Sequence, residues 1–214
     1  MTTPHGHGTA RADTIARIRR MASARRVAAA AAAMTERCDL CGTSLPDDHR
    51  HLLQTEERRI LCVCEPCRAM RSGEPGLRPT GSRMTYLEGF ELADDLWAKF
   101  QIPIGLAWFF RSESAGRVVA LYPSPAGATE CELYLEAWEE LVAANPVLAS
   151  LESDVEALIV NRLSSPPEHA IVPIDRCYEL VGTIKANWTG ISGGSSVDDA
   201  VSAFFGHLRP RAGA

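Results

Sequence analysis

The chain has 214 residues, of which 46% are hydrophobic and 23% charged, a composition typical of a globular protein with room for one ordinary domain and a small module. Its longest apolar run covers residues 102–110, about half of the roughly 20 residues that a membrane-spanning helix requires. The net charge is −5, but residues 1–33 carry six arginines and one aspartate. The rest of the chain is therefore acidic, which argues against a nucleic-acid-binding body.

The first 35 residues are predicted to be a disordered, basic leader. Residues 1–12 contain Gly, Pro and two His, and the segment that follows combines strong helix formers with arginines, which favours an alanine-rich helix. Paired arginines before an apolar run also occur in twin-arginine export signals. We favour the basic helix, because the alanine run is only weakly hydrophobic.

Two C-x-x-C pairs follow, and they carry the strongest signal in the sequence. Cys38 and Cys41 form the first pair, and Cys64 and Cys67 form the second. Two thiolates on a tight turn can point at one ion, and a second such turn completes a tetrahedron. Gly42 directly follows the first pair, where the turn needs a residue that accepts positive φ. The spacing predicts a metal site rather than disulfides or four buried thiols.

The residues between the pairs predict how this site is built. HRHLLQ and RRILCV contain strand-forming residues on either side of a polar turn and favour a hairpin, and CEPCRAM then turns into a short helix. This order is that of a treble-clef or zinc-ribbon module, which we assign to residues 36–71. A module of this size cannot fold on apolar burial alone, so the metal is expected to supply much of its stability.

The identity of the metal is less sharply determined by the sequence. Four thiolates suit zinc or a single iron, and C-x-x-C-G resembles the first knuckle of rubredoxin, whereas CEPCR departs from the second. Zinc is therefore favoured. Cys62, His49 and His51 are possible additional ligands. Cys62 could also be a redox-active thiol, but we favour a small buried residue for it and solvated hairpin residues for the two histidines.

The rest of the chain predicts a linker and an α+β domain with a mostly antiparallel sheet. Residues 72–103 have linker composition and a short helix near 94–100, and residues 104–209 mix strands and helices. The predicted elements of this domain are strands at 104–110 and 117–123, a loop at 124–130, a helix from 135, strands at 154–162 and 170–174, and helices at 175–187 and 197–208. The economical packing is a four-stranded sheet with helices on one face.

Catalytic signatures are not evident in the sequence. It contains no Walker A motif, dinucleotide-binding glycine pattern or nucleophile elbow. Cys177 lies in the first turn of a predicted helix, where the helix dipole can activate a thiol, but a buried structural cysteine is the better interpretation. Asp175 is expected to cap that helix. The sequence therefore favours a protein that is not an enzyme.

Several segments together resemble an uncharacterised bacterial family known only as a domain of unknown function. The segments are CDLCGTSLPDDHRHL, RRILCVCEPC, IPIGLAWFF, GRVVALYPSPAGATE, DVEALIVNR and VPIDRCYELVG. The resemblance covers residues 36–208, and the genes of this family tend to neighbour those of uptake nickel-iron hydrogenases and their maturation factors. It implies that the four paired cysteines are family features, as are Cys62 and the His49-x-His51 pair.

These observations give three functional hypotheses. The first is a non-enzymatic zinc-binding accessory or adaptor protein, whose partners the resemblance implies to be hydrogenase subunits or maturation factors. The second is a rubredoxin-like iron carrier serving a hydrogenase, and the third, less favoured, is a zinc ribbon that binds nucleic acid. Seven cysteines, five of them clustered, fit a reducing compartment and predict a cytoplasmic location.

Overall fold

A computed structural model describes residues 36–189 and 194–209, so the predicted leader at 1–35 lies outside the described residues. The strands in these ranges are β1 (Arg50–Gln54), β2 (Arg59–Val63), β3 (Leu77–Pro79), β4 (Thr85–Tyr86), β5 (Leu106–Ser112), β6 (Arg117–Ser124), β7 (Gly127–Cys131), β8 (Glu156–Asn161) and β9 (Glu168–Pro173). The α-helices are α1 (Glu65–Arg71), α2 (Asp94–Lys99), α3 (Leu135–Ala144), α4 (Ile174–Asn187) and α5 (Ser195–Leu208), and a 3₁₀ helix covers Pro146–Ser150. None of the described helices is long and apolar enough to cross a membrane.

The N-terminal part of the described chain is a small module around a three-stranded antiparallel sheet. The strand order is β2-β1-β3, and the predicted hairpin of β1 and β2 and the helix after it are confirmed. One face of the hairpin forms a small core whose buried members are Cys38, Leu45, Leu52, Leu61 and Val63. Because successive side chains alternate across a strand, Leu53 and Ile60 lie on the other face.

The second sheet has six antiparallel strands in the order β4-β9-β8-β5-β6-β7. Strands β8 and β9 are buried at every position, and β5 is buried at every position except Arg111, so both faces of the sheet are covered. Along β5, Trp108 and Phe110 join one core, whereas Ala107 and Phe109 join the other. Helices α4 and α5 cover the first core, and α2, α3 and the 3₁₀ helix cover the second. The α+β class with a mostly antiparallel sheet is thus confirmed.

Two details of the predicted domain are wrong. The sheet has six strands with helices on both faces, not four strands with helices on one, because β4 and β7 extend its edges. The predicted loop at 124–130 contains most of β7, whose backbone pairs with β6 from Ser124 to Ala120. Its small and polar residues form an edge strand, in which the backbone groups on the outer side point away from the sheet.

The small module packs directly against the six-stranded domain. Leu53 and the partly buried Ile60 contribute to the first core. Arg58, between β1 and β2, places its Nη1 2.7 Å from Glu130 Oε2 on β7. Arg78 on β3 places its Nη1 3.0 Å from Glu113 Oε1, which directly follows β5. The stretch expected to be a linker and short helix at 72–103 supplies β3 to one sheet, β4 to the other and the short helix α2.

Candidate metal centre

The first cysteine pair lies on a tight knuckle before β1. The Gly42 N–H donates to the Cys38 carbonyl and the Cys38 N–H donates to the Thr43 carbonyl, both at 2.8 Å. Gly42 has a φ of 74°, as the turn requires, and only glycine accepts that conformation without steric cost. The knuckle is fixed to the hairpin through Asp39, whose N–H donates to the Cys62 carbonyl at 2.8 Å and whose Oδ2 accepts from the Cys62 N–H at 2.7 Å.

The second cysteine pair lies where β2 passes into α1. Cys64 occupies the N-cap position, and its carbonyl accepts the Arg68 N–H at 2.9 Å. Pro66 stands near the start of the helix, where its missing N–H costs no hydrogen bond. Cys67 therefore lies in the first turn, with its side chain on the same side as Cys64.

The two pairs converge. The four Sγ atoms of Cys38, Cys41, Cys64 and Cys67 all lie within 4.8 Å of one another. Cys41 Sγ and Cys64 Sγ are 3.7 Å apart, and a tetrahedron with metal–sulfur bonds of about 2.3 Å has an edge of about 3.8 Å. The four cysteines can therefore hold a metal ion. Cys38 is buried, Cys41 is exposed and the second pair is partly buried, so the centre lies near the surface.

The surroundings of Cys38 and Cys67 separate the pKa values of these two thiols. Burial raises the pKa of Cys38, but the backbone hydrogen bonds of Cys64, Leu40 and Cys41 outweigh it and lower that pKa from 9.0 to about 6. Hydrogen bonding to the thiols of Cys64 and Cys41 raises the pKa of Cys67 to about 12. The Cys38 thiolate therefore forms readily, and its negative charge opposes deprotonation of Cys67. A divalent cation at the centre would favour the thiolate form of all four cysteines.

The three residues considered as additional ligands form a second group. The ligand atoms of His49, His51 and Cys62 lie within 4.8 Å of one another. His51 and Cys62 are direct partners in the β1–β2 ladder, which places their side chains on one face. The rings of His49 and His51 meet edge to face with centroids 4.7 Å apart. The histidines are thus partly buried neighbours of Cys62 rather than solvated hairpin residues.

Asp175 connects this second group to the larger domain, a role that the sequence analysis missed. The expected capping role is wrong: the N-cap of α4 is Pro173, without a side-chain cap, and Asp175 lies in the first turn. Its Oδ2 accepts from His51 Nδ1 at 2.8 Å and from the Thr80 hydroxyl at 3.1 Å. His51 and Asp175 are 124 positions apart, and no local pattern signals such a contact.

Cys177 is completely buried in the first core. Burial, with Asp175 nearby, raises the pKa of this thiol well above its ordinary value. Because the nucleophile is the thiolate, such a cysteine is inert at neutral pH. This agrees with the structural role favoured from the sequence.

Comparison with known proteins gives a family and no closer relative. No curated protein and no solved structure matches the chain. Residues 37–212 match the family of unknown function DUF5947. The match covers the whole described structure apart from Glu36, and the chain therefore belongs to the DUF5947 family.

Proposed function

We propose that this protein is a non-enzymatic, zinc-binding accessory or adaptor protein. The observation that supports the proposal best is the convergence of the four sulfur atoms within 4.8 Å. Four thiolates complete a tetrahedral shell and leave no position for substrate, which is the pattern of structural zinc. In this proposal the ion folds the small module and the α+β domain presents the surface that a partner protein binds.

The setting of this role is proposed from the family resemblance. Genes of the resembling family neighbour those of nickel-iron hydrogenases, so the partner would be a hydrogenase subunit or maturation factor. Seven free cysteines, four of them grouped around one point, suit a reducing compartment such as the cytoplasm.

A single iron at the same four thiolates is the second candidate. The exposure of Cys41 favours it, because electron transfer requires a metal centre close to the surface. The protein would then be a rubredoxin-like electron carrier. Visible absorption separates the two candidates, since an iron tetrathiolate is coloured and a zinc tetrathiolate is not.

Nucleic-acid binding draws less support from the arrangement of charges. Five of the seven arginines between positions 50 and 83 lie in ion pairs with carboxylates: Arg58, Arg68, Arg71, Arg78 and Arg83. Paired arginines offer little positive potential to a phosphate backbone.

The test is metal analysis of the full-length protein purified from its own host. We expect zinc to remain bound after dialysis against a weak chelator, and the Cys41→Ser variant to lose it. Cys131→Ser is the matched control, because Cys131 lies on β7 and belongs neither to the four-cysteine centre nor to the group of His49, His51 and Cys62. Retention of zinc by Cys41→Ser, or a coloured iron-containing wild type, would contradict the zinc proposal. Identification of co-purifying proteins tests the partner.

A further inference from the structure

We propose that His49, His51 and Cys62 form a second metal site, separate from the four-cysteine centre, that binds an exchangeable divalent transition-metal ion. This site goes beyond the proposed function and uses none of the four paired cysteines. Its three ligand atoms lie within 4.8 Å of one another. A small side-chain adjustment brings them to the separation of roughly 3.5 Å expected for ligands of one tetrahedral ion.

The buried Nε2 of His49 is the first observation that points to a ligand. The side chain of His49 is only 6% exposed, and its Nε2 has no hydrogen-bond partner among the described residues. Its Nδ1 lies 3.0 Å from the Pro46 carbonyl and 3.5 Å from Glu36 Oε2. Both of these oxygens are acceptors, so Nδ1 carries the proton and Nε2 presents a lone pair. A buried lone pair next to an imidazole and a thiol is the arrangement that a metal ion satisfies.

His51 is oriented in the same way. Its Nδ1 donates to Asp175 Oδ2 at 2.8 Å, which leaves Nε2 as the free lone pair. Metal-ligating histidines commonly donate their other N–H to a carboxylate, which fixes the tautomer and the direction of the ring. Thr80 holds the same Asp175 oxygen at 3.1 Å, so the carboxylate is itself fixed in place.

The hairpin holds two of the three ligands rigidly. His51 and Cys62 face each other across the hairpin, and His49 precedes β1 by one residue. The Cys62 N–H is held by Asp39 at 2.7 Å. Asp175 comes from α4, so the site lies between the small module and the larger domain, a common location for binding sites.

The surroundings favour a cation and leave room for a further ligand. The three side chains line an open pocket of about 620 Å³. Five acidic residues and only two arginines line this pocket. One of the two arginines, Arg176, forms an ion pair with Glu179. Two imidazoles and one thiolate suit Zn²⁺, Co²⁺ or Ni²⁺. Three protein ligands leave the fourth tetrahedral position open to solvent or an exogenous ligand.

Cobalt binding to the full-length protein, with zinc already in the four-cysteine centre, tests the proposal. We expect one further equivalent of Co²⁺ to bind and to produce thiolate-to-cobalt absorption. Cys62→Ser should abolish this absorption. His49→Asn and His51→Asn should weaken cobalt binding by more than about 100-fold, since even the partners of ligating histidines account for 10–100-fold.

The controls are Cys131→Ser and His207→Asn, which replace the same residue types outside the site and should bind cobalt as the wild type does. Retention of the first zinc and an unchanged circular dichroism spectrum show that each variant is folded. Failure of the wild type to take up Co²⁺, or unchanged thiolate-to-cobalt absorption in Cys62→Ser, overturns the site. Azide should shift the cobalt spectrum, and an unchanged spectrum overturns the open position.

Discussion

Removal of the ion from the four-cysteine centre should unfold the small module and leave the six-stranded domain folded. The module and the domain have separate cores, apart from Leu53 and Ile60 of the module, which pack against the first core of the domain. The knuckle and α1 converge at the sulfur atoms, so loss of an ion bound there would remove the link that joins these two segments.

The size of the effect follows from the core of the module. Its buried aliphatic side chains are Leu45, Leu52, Leu61 and Val63. Burial of each stabilises by about 1.5–3 kcal/mol, or about 6–12 kcal/mol together. A structural zinc ion contributes about 10–16 kcal/mol of apparent binding free energy. The contribution of a bound zinc ion would therefore be similar to or larger than that of the apolar core, and the module should not survive its loss.

Hydrogen exchange followed by mass spectrometry measures this directly on the full chain. After a strong chelator has removed the metal, the amides of β1 and β2 should lose their protection, whereas those of β5 and β8 should keep it. Cys131→Ser treated in the same way controls for thiol chemistry. Unchanged protection of β1 and β2 in protein verified to be free of metal would refute the reasoning.

Three further outcomes are expected. Asp175→Asn should weaken cobalt binding at the second site by about 10–100-fold without affecting zinc retention, as equilibrium dialysis would show; unchanged affinity would remove Asp175 as a positioning residue. Burial, with Arg162 nearby, lowers the pKa of His169 from 6.5 to about 4, so the unfolded chain takes up its proton first as the pH falls. The free energy of unfolding should therefore drop by up to about 3 kcal/mol between pH 6.5 and 4, and less in His169→Phe when both are compared by urea denaturation. Leu158→Ala, at a fully buried position of β8, should lower the free energy of unfolding by about 2–5 kcal/mol; a cost below about 1 kcal/mol would contradict the packing.

Local patterns in the sequence predicted the parts of the fold that depend on neighbours along the chain. The C-x-x-C spacing and the glycine after it specify the knuckle, and strand-forming residues on either side of a polar turn specify the hairpin. The apolar residues of the segment 197–208 repeat at helical spacing and predict a helix there, which α5 confirms; α4 likewise confirms the helix predicted at 175–187.

The arrangement of the domain depended on contacts that no local pattern encodes. Both faces of the sheet are buried, and the continuous apolar runs at 106–110 and 157–160 could have signalled this, since a strand with one wet face alternates. The edge strand β4 has only two residues, and β7 consists mostly of residues with weak strand propensity, so both are held by pairing with longer neighbours. The contact between His51 and Asp175 depends on docking of the module.

The shared hairpin should couple the two metal sites. Leu52 and Leu61 pack beneath the four-cysteine centre, and the adjacent ladder pair, His51 and Cys62, belongs to the second site. If the module is unfolded without metal, the first ion to bind must fold the hairpin, and the second ion then meets a preformed site. Linkage requires the effect to be reciprocal, so an ion at the second site must raise the zinc affinity of the first by the same factor. Zinc competition against a chelator, with cobalt present, should therefore give a higher affinity for the wild type than for Cys62→Ser. Equal affinities would contradict this coupling.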